Sequence, residues 1–201
     1  MKIIFNFLCF CFLTLQLNAQ IPEGKSVISS LYIYTLETGK AELVLKEKRH
    51  FEAPNWSHDG QFLLINASGI LEKVSTKGEK LGVLPTGDIT NANNDHGYSF
   101  DGKTLFISSS LPSIKGGSSL IFKVASEGGS PIRLTDNTPS YWHGVSPDGK
   151  TIVYCAERGG NYDVYAMSSE GGAETRLTDA EGLDDGPEYS PDGKHGKRNA
   201  H

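Results

Sequence analysis

Ser146-Pro147-Asp148-Gly149-Lys150, running straight into Thr151-Ile152-Val153-Tyr154, is the stretch that decides the fold. Val145 and Ser146 close one strand, and Pro147 fixes φ at the start of the turn. Asp148-Gly149 then supplies the backbone freedom of a tight hairpin. The residues that follow are β-branched and aromatic, as a short buried strand requires. The pattern occurs three more times, at Trp56-Ser57-His58-Asp59-Gly60, Tyr98-Ser99-Phe100-Asp101-Gly102 and Tyr189-Ser190-Pro191-Asp192-Gly193. Successive Asp-Gly pairs are 42, 47 and 44 residues apart. A repeat of that length is the size of one four-stranded propeller blade.

The rest of the period repeats as well. After the third turn, Asn161–Met167 alternates as a strand, Ser169-Glu170-Gly171-Gly172 is a turn, and Glu174–Thr178 is a further strand. The second copy reads Ser119–Val124, Glu127-Gly128-Gly129 and Pro131–Thr135. A weaker first copy runs through Ile70–Val74, Lys77-Gly78 and Lys80–Leu84. Upstream, Leu31–Thr35, Glu37-Thr38-Gly39 and Ala41–Leu45 read as the last two strands of an earlier unit. No segment sustains a 3.6-residue period, so essentially no helix is expected beyond the N-terminal segment. The expected fold is all-β: a β-propeller of four-stranded antiparallel blades, about three complete and one partial, in an incomplete ring.

Ser-Pro-Asp-Gly-Lys, an apolar strand, an Asp-aromatic-Tyr strand, Gly-Gly and Arg-Leu-Thr together resemble the WD40-like repeat of TolB-like propellers. Ser146 to Thr178 carries nearly all of it, and the resemblance spans residues 31–194. It implies six blades in a closed ring and a role in translocation or biopolymer transport. Two departures stand out. TolB proper places an α/β domain before its propeller, whereas here the pattern begins about a dozen residues after the N-terminal segment. After Lys194 the chain reads His195-Gly196-Lys197-Arg198-Asn199-Ala200-His201, which is polar and basic where the other copies are apolar. Residues 195–201 are therefore expected to be a non-propeller tail, and unclosed strand edges to promote self-association.

Residues 1–19 read as a signal peptide, with Lys2 as the positive region, Ile3–Leu17 as the apolar run and Ala19 at the cut. The run is too short and interrupted for a transmembrane span. The expected location is periplasmic or secreted, with residues 20–30 as a short linker. Cys155 is then the one cysteine left, inside an apolar strand, and is read as a packed structural thiol. The formal charge of −5 argues against nucleic acid, whose phosphates select a basic footprint.

The segments entering each Asp-Gly unit carry the candidate binding residues, read as a loop cluster near the channel: Asn94, Asp95 and His96; Trp142 and His143; Asp184, Asp185 and Glu188. His96 and His143 hold similar places before the repeat Ser, and with Asp95 or Asp185 they suit a metal or polar ligand. The plainer reading is that they cap strands, and no close-spaced ligand pair supports a metal, so no metal and no cofactor are expected. No Gly-x-Ser-x-Gly elbow, phosphate loop or EF-hand ladder occurs. The expectation is a non-catalytic binding or scaffold module for a protein or an envelope polymer. The alternative is the propeller portion of an exported peptidase or sugar lyase.

Overall fold

The computed structural model describes residues 26–111 and 118–200, so the signal-peptide reading lies outside the described residues. Sixteen strands form five antiparallel sheets, and the described residues contain no helix. A leading half-blade pairs β1 (Ser29–Thr35) with β2 (Lys40–Glu47). The first complete blade runs β3 (Glu52–Trp56), β4 (Phe62–Ala67), β5 (Ile70–Ser75) and β6 (Lys80–Val83). The second runs β7 (Ala92–Tyr98), β8 (Thr104–Ser109), β9 (Leu120–Ala125) and β10 (Ile132–Arg133). The third runs β11 (Ser140–Val145), β12 (Thr151–Arg158), β13 (Asn161–Ser168) and β14 (Thr175–Arg176). A trailing half-blade pairs β15 (Asp184–Tyr189) with β16 (Gly196–Ala200). Each complete blade is a simple meander, and the ring is not closed.

One local device builds all four Asp-Gly turns. In the third blade Ser146 Oγ donates to Asp148 Oδ1 at 2.6 Å, Asp148 Oδ1 accepts from Lys150 N at 3.1 Å, and Ser146 Oγ accepts from Thr151 N at 3.0 Å. Gly149 sits at φ +73°, where a Cβ would be strained. The same bonds recur around Asp59, Asp101 and Asp192. The carboxylates accept these bonds, which hold all four below the usual aspartate range.

The blades stack through apolar faces. Leu31 of the leading half-blade packs with Leu63, Ile65 and Val74. Leu64 and Leu71 meet Leu105, Phe122 and Val124 between the first and second blades. Phe106 and Ile121 meet Trp142, Tyr154, Tyr165 and Met167 between the second and third. A polar stitch crosses each of the last three seams from one register position, seven residues after the turn Asp. Asn66 Nδ2 donates to Ala92 O at 2.9 Å, Ser108 Oγ accepts from Trp142 N at 2.7 Å, and Cys155 Sγ donates to Asp184 O at 3.3 Å. Cys155 is buried, as its strand pattern predicts.

The trailing segment is a correction. Residues 196–200 form β16, paired with β15 through Tyr189–Gly196 and Glu188–Lys197. A strand needs backbone partners before it needs apolar side chains. The Asp192-Gly193 turn delivers those partners, and the exposed side chains of Lys197, Arg198 and Asn199 tolerate the basic sequence.

Candidate functional site

The inner strands β3, β7, β11 and β15 lie side by side, β7 touching β3 and β11, and β11 touching β15. The expected loop cluster is therefore corrected: its residues sit on the first strands of the blades, not on loops leading into them. Every one of these strands carries a register break upstream of its Asp-Gly turn, though not at the same residue of the repeat. Register breaks between Glu52 and Asn55, Ala92 and His96, Trp142 and Gly144, and Asp185 and Glu188. A bulge leaves residues unpaired and re-aims their side chains.

These bulges sort the candidate residues. Asn94, Asp95, His143 and Asp185 line one cleft of about 390 Å³, together with Tyr141, Cys155, Tyr162 and Leu183. His143 Nε2 lies 2.9 Å from Asp185 Oδ1. Asp95 is mostly buried and its carboxyl is raised to about 6, first by burial and then, against the pull of His143, by Asp185. Burial likewise raises the Tyr141 and Tyr162 hydroxyls.

The other four candidates point elsewhere. His96 is 4% exposed, and burial holds its imidazole down at about 4, hence neutral. It holds the same repeat position as His143, but the bulge at Trp142/Gly144 turns His143 alone to the cleft. Trp142 belongs to the core: it stacks on Phe106 with centroids 5.6 Å apart, and its ring lies against Gly97, where an added Cβ would come within 2.7 Å. Asp184 is buried and pairs with Arg198. Glu188 is exposed and meets Lys197 at 3.1 Å. Among the described residues no group of three or more His, Cys, Asp or Glu side chains is placed to hold a metal ion.

Tyr162 and Leu183 escaped the sequence reading. Tyr162 lies in β13, beyond the hairpin from β12, and only the pairing Glu157–Tyr162 beside Cys155–Val164 brings it to the cleft. Cys155, His143 and Asp185 also superficially offer a thiol, an imidazole and a carboxylate. The thiol hydrogen goes to Asp184 O, and burial raises the thiol to about 12, which disfavours the thiolate.

Bulged inner strands around an acidic, tyrosine-walled cleft define a β-propeller with a recessed site beside its axis. Residues 23–195 match the model of the TolB beta propeller domain, and the chain belongs to that family. It is 44% identical over 182 residues to an uncharacterized protein of Agrobacterium fabrum, covering 90% of this chain and 61% of that protein. A solved structure of a TolB candidate from Agrobacterium tumefaciens is 44% identical with a TM-score of 0.79, covering 88% of this chain and 63% of that one. TolB from Acinetobacter baumannii matches at 20% identity and TM-score 0.64, over 82% of this chain and 41% of that one, a likeness of fold alone. The chain thus spans about three fifths of the length of its 44%-identical relatives. No helix among the described residues is long and apolar enough to cross a membrane.

Proposed function

We propose that the chain is part of an exported, non-catalytic binding module that grips a basic side chain of a protein or envelope-polymer partner in this cleft. One observation carries the reading. Asp95 on β7 and Asp185 on β15 face one recess from either side of β11, with His143 the one basic group lining it. Tyr141 and Tyr162 add aromatic walls of the kind that favour ammonium and guanidinium groups. The volume suits one side chain or a small ligand. Export is supported by the apolar N-terminal segment behind Lys2. A binding role is supported by the membership of the TolB propeller family and by the burial that raises the cleft thiol.

Calorimetry with a short arginine- and lysine-rich peptide tests this. Binding is expected at pH 7.5, weaker as salt rises and as pH falls through about 6, where Asp95 takes up its proton. Asp95→Asn should weaken it at least tenfold. A raised carboxyl favours the folded state when protonated, so its stabilising effect is lost as pH rises from about 4 to about 6. Asp95→Asn should then gain about 1 kcal/mol of stability at neutral pH after allowance for partial exposure. A peptide that binds wild type and Asp95→Asn alike would sink the reading.

A further inference from the structure

The seam between the first and second blades, both complete, departs from the repeat at two places that meet. Five residues after the repeat Ser stands Phe62 in the first blade, but Thr104 and Thr151 in the second and third. Just before the repeat Ser stands Tyr98 in the second blade, where the third has Val145. Phe62 and Tyr98 line one pocket of about 140 Å³, with His58, Asp59, Gly102 and Glu127 around them. The two Asp-Gly turns approach closely here: a Cβ on Gly102 would lie 2.4 Å from His58 Cβ. At the second seam Val145 is buried among apolar side chains and brings no polar atom.

Tyr98 separates this pocket from a mere gap. Its hydroxyl is buried and has no partner among the described residues. A buried hydroxyl left unbonded is costly, so an occupant of the pocket gains by bonding it. Burial, then Glu127 and Asp59, raise that hydroxyl to about 12, so it keeps its proton and can donate. The acceptors stand at the exposed rim. Asp59 spends Oδ1 on Ser57 Oγ and Gln61 N, which leaves Oδ2 for a ligand. Glu127 is exposed, and its Oε2 lies 3.5 Å from Lys73 Nζ. Lys73 Nζ in turn stands 5.0 Å from the centre of the Phe62 ring.

These groups select the class of ligand. It must accept from Tyr98 and donate to a carboxylate. A phosphate or carboxylate is repelled by Asp59 and Glu127. An ammonium offers Tyr98 no acceptor, and Lys73 already supplies a cation. A neutral hydroxyl does both. Size narrows the choice further, since a cavity of about 150 Å³ takes one benzene-sized ring. The geometry points to a sugar-binding site in this seam: one neutral six-membered sugar ring, free or at the end of a glycan, bonded by Tyr98, Asp59 and Glu127 beside Phe62. The site is distinct from the acidic cleft and takes a different chemistry.

NMR titration of the chain with glucose, galactose, mannose and N-acetylglucosamine, each free and as its methyl glycoside, tests this. At least one should shift the Gly102, Ser126 and Glu127 amides and saturate in the millimolar range. Tyr98→Phe keeps the ring and loses the donor. It should weaken binding at least tenfold while the melting temperature holds or rises, because the unpartnered hydroxyl is gone. Asp95→Asn should bind the sugar as wild type does, which separates this site from the cleft. A methyl glycoside that binds as tightly as the free sugar assigns the site to a glycan end, and binding of the free sugar alone assigns it to a free sugar. No shift with any of them, as when water alone fills the pocket, overturns the inference. So does equal binding by Tyr98→Phe, or arginine or phosphate shifting the same amides where the sugars do not.

Discussion

The third blade and the trailing half-blade share one turn and differ in nearly everything built on it. Ser146–Asp148 and Ser190–Asp192 are both bonded at 2.6 Å, and Thr151 N and His195 N both reach their Ser Oγ at 3.0 Å. Beyond the turn, Val153, Tyr154 and Cys155 are buried, while Lys197, Arg198 and Asn199 at the matching places are exposed. The turn is a four-residue affair of one hydroxyl, one carboxylate and one glycine. Burial is set by what packs on either side, and among the described residues the trailing pair has a blade on one side alone. Local chemistry thus fixes where the chain reverses, and neighbours fix how much each strand stabilises.

The largest test of that contrast is a pair of truncations. Tyr154 is fully buried, stacks near Tyr165 at 6.0 Å, and donates its hydroxyl to Glu174 at 2.8 Å. Tyr154→Ala should cost about 4 kcal/mol in chemical denaturation, by lost burial and a cavity. Lys197→Ala, in the half-blade, removes an exposed pair with Glu188 and should cost under about 0.5 kcal/mol. Comparable losses would mean that the half-blade is packed as a full one.

A middle-sized test uses a clamp that only the complete blade has. Arg158 Nε and Nη2 donate to Glu174 at 2.9 and 2.8 Å, and Arg158 Nη1 donates to Pro139 O, tying β12 to the segments before β14 and before β11. These donors hold the Glu174 carboxyl down at about 2. A lowered carboxyl contributes stability above its ordinary pKa and loses it as pH falls, here from about 4.5 to about 2. Glu174→Gln should lose about 1–2 kcal/mol at neutral pH and flatten that acid limb in urea melts at successive pH values. An unchanged acid limb would show that the fourth strand is held by its ladder alone.

The same contrast explains what could be read from the residues. The blade count, the strand order and the buried place of Cys155 were legible, because Ser-x-Asp-Gly and the apolar alternation are local signals. The strand at Gly196–Ala200 was not, since its pairing comes from β15 while its side chains carry no apolar pattern. Four of the eight candidate residues meet at the cleft. Equal spacing before the repeat Ser suggests that His96 and His143 are equivalent. The bulges are not written in that spacing, and they send one ring into the protein and the other to the cleft. Tyr162 needed the β12–β13 register, a non-local fact.

The smallest test returns to the turn itself. If its geometry is local, removing the hydroxyl should act similarly wherever the turn occurs, apart from burial. Ser146 is 8% exposed, and its Oγ both donates to Asp148 and accepts from Thr151 N. Ser146→Ala leaves that amide without its partner in a closed-off site and should cost about 1 kcal/mol. Ser190 makes the same two bonds in an exposed turn, where water can replace the lost oxygen. Ser190→Ala should cost about 0.3 kcal/mol, because only the net exchange with water remains. Hydrogen exchange at Thr151 and His195 gives a second reading of each. Protection should fall at both, and more steeply at Thr151, where the amide starts from a buried strand. Equal costs for the two serines would mean that the half-blade turn is shielded from water.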